Sequence, residues 1–221
     1  MLDQAESLRK LVSQEVHDTE FLAKEKMPKI FTVISTQHEV GKSSFTMNLS
    51  IAFKRKGKKV LILDSDIGIV NDDILMNFYK KCDESLDFIF INTAIKYDNK
   101  ILEYIELSES LIFVTTSDSG DLIDSYSLLK LLKQYNIKRK INIVVKEVTN
   151  IREALNIFNK FKNTSKKFLG TNLNYLGFIM EDKKIIESIE KQKPFTISYP
   201  NSYASKCIEN IANYLIEERR A

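Results

Sequence analysis

The sequence predicts an α/β fold in which a mainly parallel sheet is covered by helices on both faces. Three observations predict it. Short β-rich runs alternate with helical stretches along the chain, the runs read apolar throughout, and the first run leads into a Gly-Lys-Ser loop that opens a helix. A strand buried on both faces needs apolar side chains at odd and even positions alike, which is the pattern of a parallel sheet between helical layers. The 221 residues, 43% of them hydrophobic, suffice for one core. A second full domain is not expected, because domains run to roughly 100–200 residues.

The elements follow in order. Residues 1–17 carry Leu2, Ala5, Leu8 and Val12 at helical spacing and predict an N-terminal helix. A charged connector at 18–29 contains Met27-Pro28, and a single domain is expected over 30–221. Strands are expected at 30–34, 59–64, 86–92, 110–116, 141–148 and 172–180. Helices are expected at about 42–55, 98–107, 120–135, 150–167, 182–191 and 202–218. Gly57 punctuates the join between the first of these helices and the second strand. No internal repeat or low-complexity tract interrupts the alternation.

Charge narrows the classes of partner. Thirty-three basic against 30 acidic residues leave a net charge of +3, too mild to imply nucleic acid or a membrane surface as the main partner. Cys82 and Cys207 lie far apart, without CxxC spacing or clustered histidines, and read as reduced thiols. The opening MLDQAESLRK is charged from its third residue and is no signal peptide. No apolar run approaches the roughly 20 residues that span a bilayer. A cytoplasmic protein is the expectation.

The chemistry is expected beyond the carboxyl ends of the strands, where ligands bind in such sheets. Gly41, Lys42, Ser43 and Ser44 fit the end of a phosphate-binding loop. Backbone amides and the helix N-terminus would cradle phosphate, Lys42 would reach its oxygens, and Ser43 would hold Mg²⁺. A bare GKS is a weak signal; its place between an apolar strand and a helix makes it informative. The second strand ends in DSDIGIVNDD, with Asp64, Asp66, Gly68, Asn71 and Asp73. Alone this is an acidic turn capping a helix; coming one helix after GKS, at the end of the next strand, it is much more informative, and Asp64 is a candidate Mg²⁺ ligand beside Ser43.

Taken together, GKSSFTMNLSIAFKRKGKKVLILDSDIGIVNDD resembles the MinD/ParA family of deviant P-loop ATPases. VTTSDSGDLIDSYSLLKLL and FLGTNLNYLGFIMEDKKIIESIEKQKPFTISYPNSYASKCIENIANYL resemble its FlhG (YlxH) branch of flagellar-number regulators. The N-terminal Asp3-Gln4-Ala5-Glu6-Ser7-Leu8-Arg9 is similar to that branch's DQAxxLR motif. In that branch the motif forms a helix that docks on the signal-recognition-type GTPase FlhF and stimulates GTP hydrolysis. The resemblance implies partner contacts from Asp3, Gln4, Ala5, Leu8 and Arg9: Ala5 and Leu8 as the buried face, Gln4 and Arg9 as polar contacts near the partner's phosphates.

The same resemblance marks departures. The family's KGGVGKT loop here reads Gln37, His38, Glu39, Val40, Gly41, Lys42, Ser43. Gln37 brings no charge where the family has its signature lysine. His38 and Glu39 replace the paired glycines that let backbone approach phosphate. The family's DTGAG-type stretch reads Asn92-Thr93-Ala94-Ile95-Lys96, so Asn92 replaces the aspartate that holds Mg²⁺ through water. Lys146 replaces an asparagine on the adenine side. Asp66, which in the family helps to position the attacking water, is kept, and the stretch from Ile74 to Leu86 is shorter than the family's.

These changes predict negligible ATP turnover, since removing one charged group from such a site costs hundreds-fold. ATP and Mg²⁺ are expected to bind weakly if at all. The leading expectation is an FlhG-like regulator of flagellar placement or number, docking on an FlhF-like GTPase and on flagellar basal-body components, and recruited to the flagellar site or cell pole. Two alternatives stand beside it: a working MinD-like, ATP-switched dimeric ATPase, and a ParA-type DNA-partition protein. The latter would use the basic patch of Lys54, Arg55, Lys56, Lys58 and Lys59, which reads more simply as a solvated helix end. Ile208, Ile211, Ala212, Leu215 and Ile216 form an apolar helical stripe assigned to the core, so membrane binding is expected to be weak or absent.

Overall fold

Six strands, each apolar on both faces, pair side by side in the computed structural model, which describes residues 28–35, 41–64, 86–93 and 99–218. They are β1 (Lys29–Ile34), β2 (Val60–Asp64), β3 (Phe88–Asn92), β4 (Ser110–Thr115), β5 (Lys140–Val148) and β6 (Leu173–Met180). The sheet order is β2-β3-β1-β4-β5-β6, and every pairing is parallel. Between and after the strands lie α1 (Lys42–Arg55), α2 (Asn99–Leu107), α3 (Ser119–Gln134), α4 (Ile151–Leu169), α5 (Lys183–Glu190), α6 (Phe195–Ser198) and α7 (Tyr203–Glu217). The expected N-terminal helix at 1–17, most of the 18–29 connector and the shortened stretch after Ile74, up to residue 85, lie outside the described residues.

The period-2 alternation of the strands sorts their side chains onto two faces, with a small further cluster of Ile89 and Ile91 against Tyr104. On one face Phe31, Val33, Phe88, Phe90, Ile112, Val114 and Val144 meet α1 and α7. On the other, Ile34, Leu111, Phe113, Ile141, Ile143 and Val145 meet α2, α3 and α4. Both faces are covered, as continuous apolar strands require. Phe53 of α1 stands edge-on to Phe88 (4.7 Å, 82°) and Phe90 (5.3 Å, 87°), a favourable quadrupole arrangement that fixes α1 against β3. The C-terminal stripe belongs to this core: Ile208, Ala212 and Leu215 are fully buried, Ile211 and Ile216 nearly so.

Local signals set the helix ends. Asp118, Asn150, Asp182 and Ser202 each accept a backbone N–H in the first turn of α3, α4, α5 and α7. Glu153 accepts in turn from the N–H (2.8 Å) and the hydroxyl (2.7 Å) of Thr149, the residue before the N-cap of α4. Gly170, at φ 64°, ends that helix two residues later than the expected 167.

Two departures from expectation have physical causes. β1 starts at Lys29, inside the expected connector, because Lys29 pairs with Phe88 and its N–H bonds Asp87 O at 3.1 Å. The short α6 was not expected; four residues carry no readable period. It forms because Asn48 of α1 accepts from Thr196 through both the backbone N–H (2.9 Å) and the hydroxyl (2.8 Å). Arg55 of the basic patch is held there too, donating to Thr196 O at 2.6 Å with Glu209 at 3.8 Å. Among the described residues no helix is long and apolar enough to cross a membrane.

Candidate functional site

The strand order places a switch point at β1. From β1 the chain passes over β3 to the sheet edge at β2, returns to β3, and then crosses β1 to reach β4. Ligands of open parallel sheets bind beyond the carboxyl ends of strands at such a point. Gly41 stands there as the N-cap of α1, with φ 66° and ψ 34° and no side-chain cap bond. The left-handed backbone is glycine's, and the exposed N–H groups of the first turn carry the positive end of the helix dipole. No acidic side chain occupies that first turn.

Parallel register then brings three sequence-distant groups together. Asp64 at the end of β2 is the register partner of Asn92 at the end of β3, and Asn92 in turn pairs with Val33 of β1. The Asn92 side chain, 1% exposed, sits at the centre. Its Oδ1 accepts from Lys42 Nζ at 2.7 Å, while its Nδ2 donates to Ser43 Oγ at 2.8 Å and to Asp64 Oδ2 at 3.0 Å. The amide orientation follows from chemistry, because an ammonium only donates and a carboxylate only accepts. Lys42 is buried, and Ser43 faces outward.

Lys146 approaches from the other side. A Cβ built on Gly41 would lie 2.9 Å from Lys146 Nζ, so the ammonium rests against the glycine of the loop. The end of β5 is bulged: the register with β6 shifts between Lys146 and Val148, and Glu147 adopts φ 57°. Bulges re-aim side chains next to functional sites. Lys146 shows 13% side-chain exposure, with Glu147 Oε1 at 4.0 Å. Burial pushes its ammonium below the usual lysine range, partly offset by the negative charges of Glu147 and Asp121.

Asp121, in the first turn of α3, was not singled out by the sequence. It is fully buried and accepts from Thr116 N (2.6 Å), Thr116 Oγ1 (3.0 Å) and Thr115 Oγ1 (3.0 Å). The signal available was the Thr-Thr pair ending a strand five residues before an aspartate. Of the expected site residues, the fold gathers Gly41, Lys42, Ser43, Asp64 and Asn92, with Lys146 beside Gly41. Ser44 lies one residue further along α1, where its O accepts from Asn48 Nδ2 at 2.7 Å. Gln37, His38, Glu39, Asp66 and the group Asp3, Gln4, Ala5, Leu8 and Arg9 lie outside the described residues.

The donor set fits a nucleotide's phosphates: a glycine-capped helix N-terminus with no acidic side chain in its first turn, and lysine side chains on two elements. It does not fit Mg²⁺ as arranged. The cation binds oxygen ligands at about 2.1 Å, yet the atom bridging Ser43 Oγ and Asp64 Oδ2 is an amide nitrogen whose hydrogens point at both. Among the described residues no three His, Cys, Asp or Glu side chains cluster as a metal site.

The family model described as the CobQ/CobB/MinD/ParA nucleotide binding domain matches residues 31–195. The chain belongs to this family. Among curated relatives, the chain is 20% identical to the antiactivator FleN of Pseudomonas aeruginosa, over 83% of this chain and 85% of that protein. It is 21% identical to the flagellum site-determining protein YlxH of Helicobacter pylori, over 86% of this chain and 82% of that one. Septum site-determining MinD proteins match at similar identity, 22% for the Arabidopsis thaliana chloroplastic homologue over 86% of this chain and 76% of that one. In structure the chain is similar to the MinD cell division protein of Aquifex aeolicus, with TM-score 0.67 and 14% identity over 86% of this chain and 97% of that one. It is also similar to MinD of Pyrococcus horikoshii solved with Mg-ADP, with TM-score 0.65 and 17% identity over 88% of this chain and 99% of that one. The parallel P-loop fold expected from the sequence is the fold of these neighbours.

Proposed function

We propose that this CobQ/CobB/MinD/ParA family member is a regulator of flagellar placement or number that acts by docking, with its own ATP turnover largely lost. The observation that carries the loss of turnover is Asn92. A neutral amide holds the centre of the site and donates to both groups that would otherwise offer oxygen to a metal. Phosphoryl transfer is accelerated mainly by positioned charge, and an amide here supplies neither charge nor an open coordination position. The regulatory role is supported by likeness to FleN and YlxH over most of the chain. The DQAESLR segment supports docking on an FlhF-type GTPase, with Asp3, Gln4, Ala5, Leu8 and Arg9 as its contacts.

The test measures the GTP hydrolysis rate of an FlhF-type GTPase alone, with the full chain, and with the Arg9→Ala and Leu8→Asp variants. Stimulation by the full chain that both variants lose supports the reading; an unchanged rate sinks it. Steady-state ATP hydrolysis by the chain itself should stay at background in Mg²⁺, and a Mg²⁺-dependent turnover that Lys42→Ala abolishes would overturn the loss of activity.

A second reading, an ATP-switched dimer, is favoured by the equally distant MinD relatives. Sedimentation with and without ATP separates the two, because only the switch model expects ATP-driven dimers. The ParA-type reading has less support, since Arg55 of its basic patch is engaged by Thr196 and Glu209.

A further inference from the structure

We propose that the foot formed by the ends of α3 and α4 is a contact surface for an anionic lipid bilayer. It lies where β5 begins, at the opposite end of the sheet from Gly41, which follows the end of β1. It depends on neither nucleotide binding nor the docking reading.

The net charge of +3 hides a strong asymmetry. Residues 125–180 carry eleven Lys and Arg side chains against two Asp and Glu, a net +9, so the rest of the chain is net −6. Segregation of this kind points to an anionic partner. No acidic residue lies between Asp124 and Glu147, or between Glu153 and Glu181. The fold then gathers part of this charge at one place. Lys133 of α3 donates to Leu169 O at the end of α4, and Leu132, Ile137, Ile141 and Leu169 line one shallow cavity between the two helix ends. Around it Lys130, Lys138, Lys166 and Lys167 are exposed. Among the described residues no carboxylate forms an ion pair with any of these four.

A helix dipole attracts lysines to the last turn, but it does not draw aromatic rings into water beside them. Phe168, in the last turn of α4, is 64% exposed, and Tyr135, the C-cap of α3, is 53% exposed. The core has its aromatics from α4 already in Phe158 and Phe161. The Lys167 ammonium lies 5.1 Å from the centre of the Phe168 ring. An aromatic ring flanked by ammonium groups suits the boundary of a bilayer, where the ring enters the acyl region and the lysine stems carry their charge to the phosphates. Paired nucleic acid offers phosphate and sugar to such a patch but no apolar depth for the ring. An acidic protein would match the charge, yet a protein interface buries a packed apolar centre, and here two separate rings stand among lysines. The apolar stripe of α7 is occupied in the core, so a bilayer contact has to use another face.

The experiment sediments the full chain with vesicles of phosphatidylcholine alone and of phosphatidylcholine mixed with phosphatidylglycerol, at low and at physiological salt. Wild type is expected to bind the mixed vesicles only, and less tightly as salt rises. Lys138→Gln, Lys166→Gln and Lys167→Gln combined should weaken binding on the order of a hundredfold, at about fivefold per lysine. Phe168→Ser should weaken it about tenfold while keeping the salt dependence. Lys54→Gln, Lys56→Gln and Lys58→Gln combined remove the same charge at the end of α1 and should bind like wild type. Melting curves without vesicles show that each variant is folded. Failure of wild type to bind the mixed vesicles overturns the proposal. Equal losses from the two triple variants overturn it too, because net charge and not this surface would then be responsible. So does an unchanged Phe168→Ser protein, or release from the vesicles by a DNA duplex or polyglutamate at equal charge, either of which would assign the patch to polyanions in general. GTPase stimulation is measured without vesicles, so the docking reading stands or falls separately.

Discussion

Lys42 Nζ donates to Oδ1 of Asn92 at 2.7 Å, so the lysine at the head of α1 is turned back onto the end of β3 by a neutral amide. Both groups are buried, Lys42 at 7% and Asn92 at 1% exposure. Position 92 therefore orients the ammonium without contributing a charge of its own. The opposite end of the same amide ties Ser43 to Asp64. One residue thus sets the direction of the loop lysine and occupies the space between two prospective metal ligands.

Exchanging that amide for a carboxylate should make stability respond to metal. In EDTA, Asn92→Asp loses two donated hydrogen bonds and places a second negative charge beside Asp64. A loss of about 1–3 kcal/mol is expected. Adding millimolar Mg²⁺ should raise the melting temperature of the variant and leave wild type unchanged. A variant insensitive to Mg²⁺ would show that Ser43, Asp64 and position 92 do not form a cation site even with the charge restored.

Lys146→Met should change how stability depends on pH, because it removes an ammonium whose pKa burial lowers. The pH dependence has a definite sign. Burial lowers the Lys146 pKa in the folded protein below the 10.5 of the unfolded chain, with Glu147 and Asp121 opposing that shift. Between the lowered value and 10.5 the unfolded state holds more protons, so stability contributed by this group rises as pH climbs through that window. Denaturant titrations across the alkaline range should show this rise in wild type and not in Lys146→Met. Identical pH profiles would refute the assignment.

Tyr175 presents the opposite sign. Its hydroxyl is buried without a hydrogen-bond partner among the described residues, and burial, followed by the charge of Cys207, pushes its pKa from 10.0 up to about 12. The folded state holds the proton longer, so this contribution to stability is present below pH 10 and lost as pH rises toward about 12. Tyr175→Phe should remove that alkaline loss. At neutral pH it should match or exceed wild type by about 1 kcal/mol, since an unsatisfied buried hydroxyl is deleted. Clear destabilisation in urea at pH 7 would mean that the hydroxyl is satisfied.

Gly177 lies where β6 packs against Ile211 of α7. A Cβ there would lie 2.7 Å from Cγ1 and 3.2 Å from Cδ1 of Ile211, which is itself 1% exposed. Gly177→Ala should cost about 1–3 kcal/mol by overpacking. Pairing it with Ile211→Val, which trims Cδ1 from that contact, should recover part of the loss. Gly177 sits at φ 157°, so backbone strain adds to that cost, and a double variant no better than Gly177→Ala alone would show that Cδ1 carries none of it.

Much of the fold was readable because its signals are local. The six strands announced themselves as runs apolar on both faces, and the ends of α3, α4, α5 and α7 lay close to capping residues at Asp118, Asn150, Asp182 and Ser202. The start of β1 at Lys29 was missed because a lysine joins a strand only when a neighbour, here Phe88, offers its backbone. The short α6 was missed because four residues hold no period, and its anchor, Asn48, lies 148 positions from Thr196. Lys42, Ser43 and Asp64 were singled out by their places after apolar strands, and the fold brings them to the same end of the sheet. Asp121 was not, because its partners, the Thr115 and Thr116 hydroxyls, are ordinary strand-end residues until a helix folds over them.

The sequence by itself determined the class of sheet, since that is written in the periodicity of its strands. It offered Gly41, Lys42 and Ser43 as a phosphate loop from their place between a strand and a helix, and Asn92 in place of a carboxylate only through the resemblance to the MinD/ParA family. Tertiary structure alone decided what those residues do to one another. Nothing local dictates that β3 lies between β1 and β2, and it is this order that sets Asn92 beside Asp64 and within reach of Lys42. Nor does any local pattern bring Lys146 to Gly41. Sheet pairing and a bulge do so, because strand order and side-chain direction emerge only when the strands share hydrogen bonds and a common core.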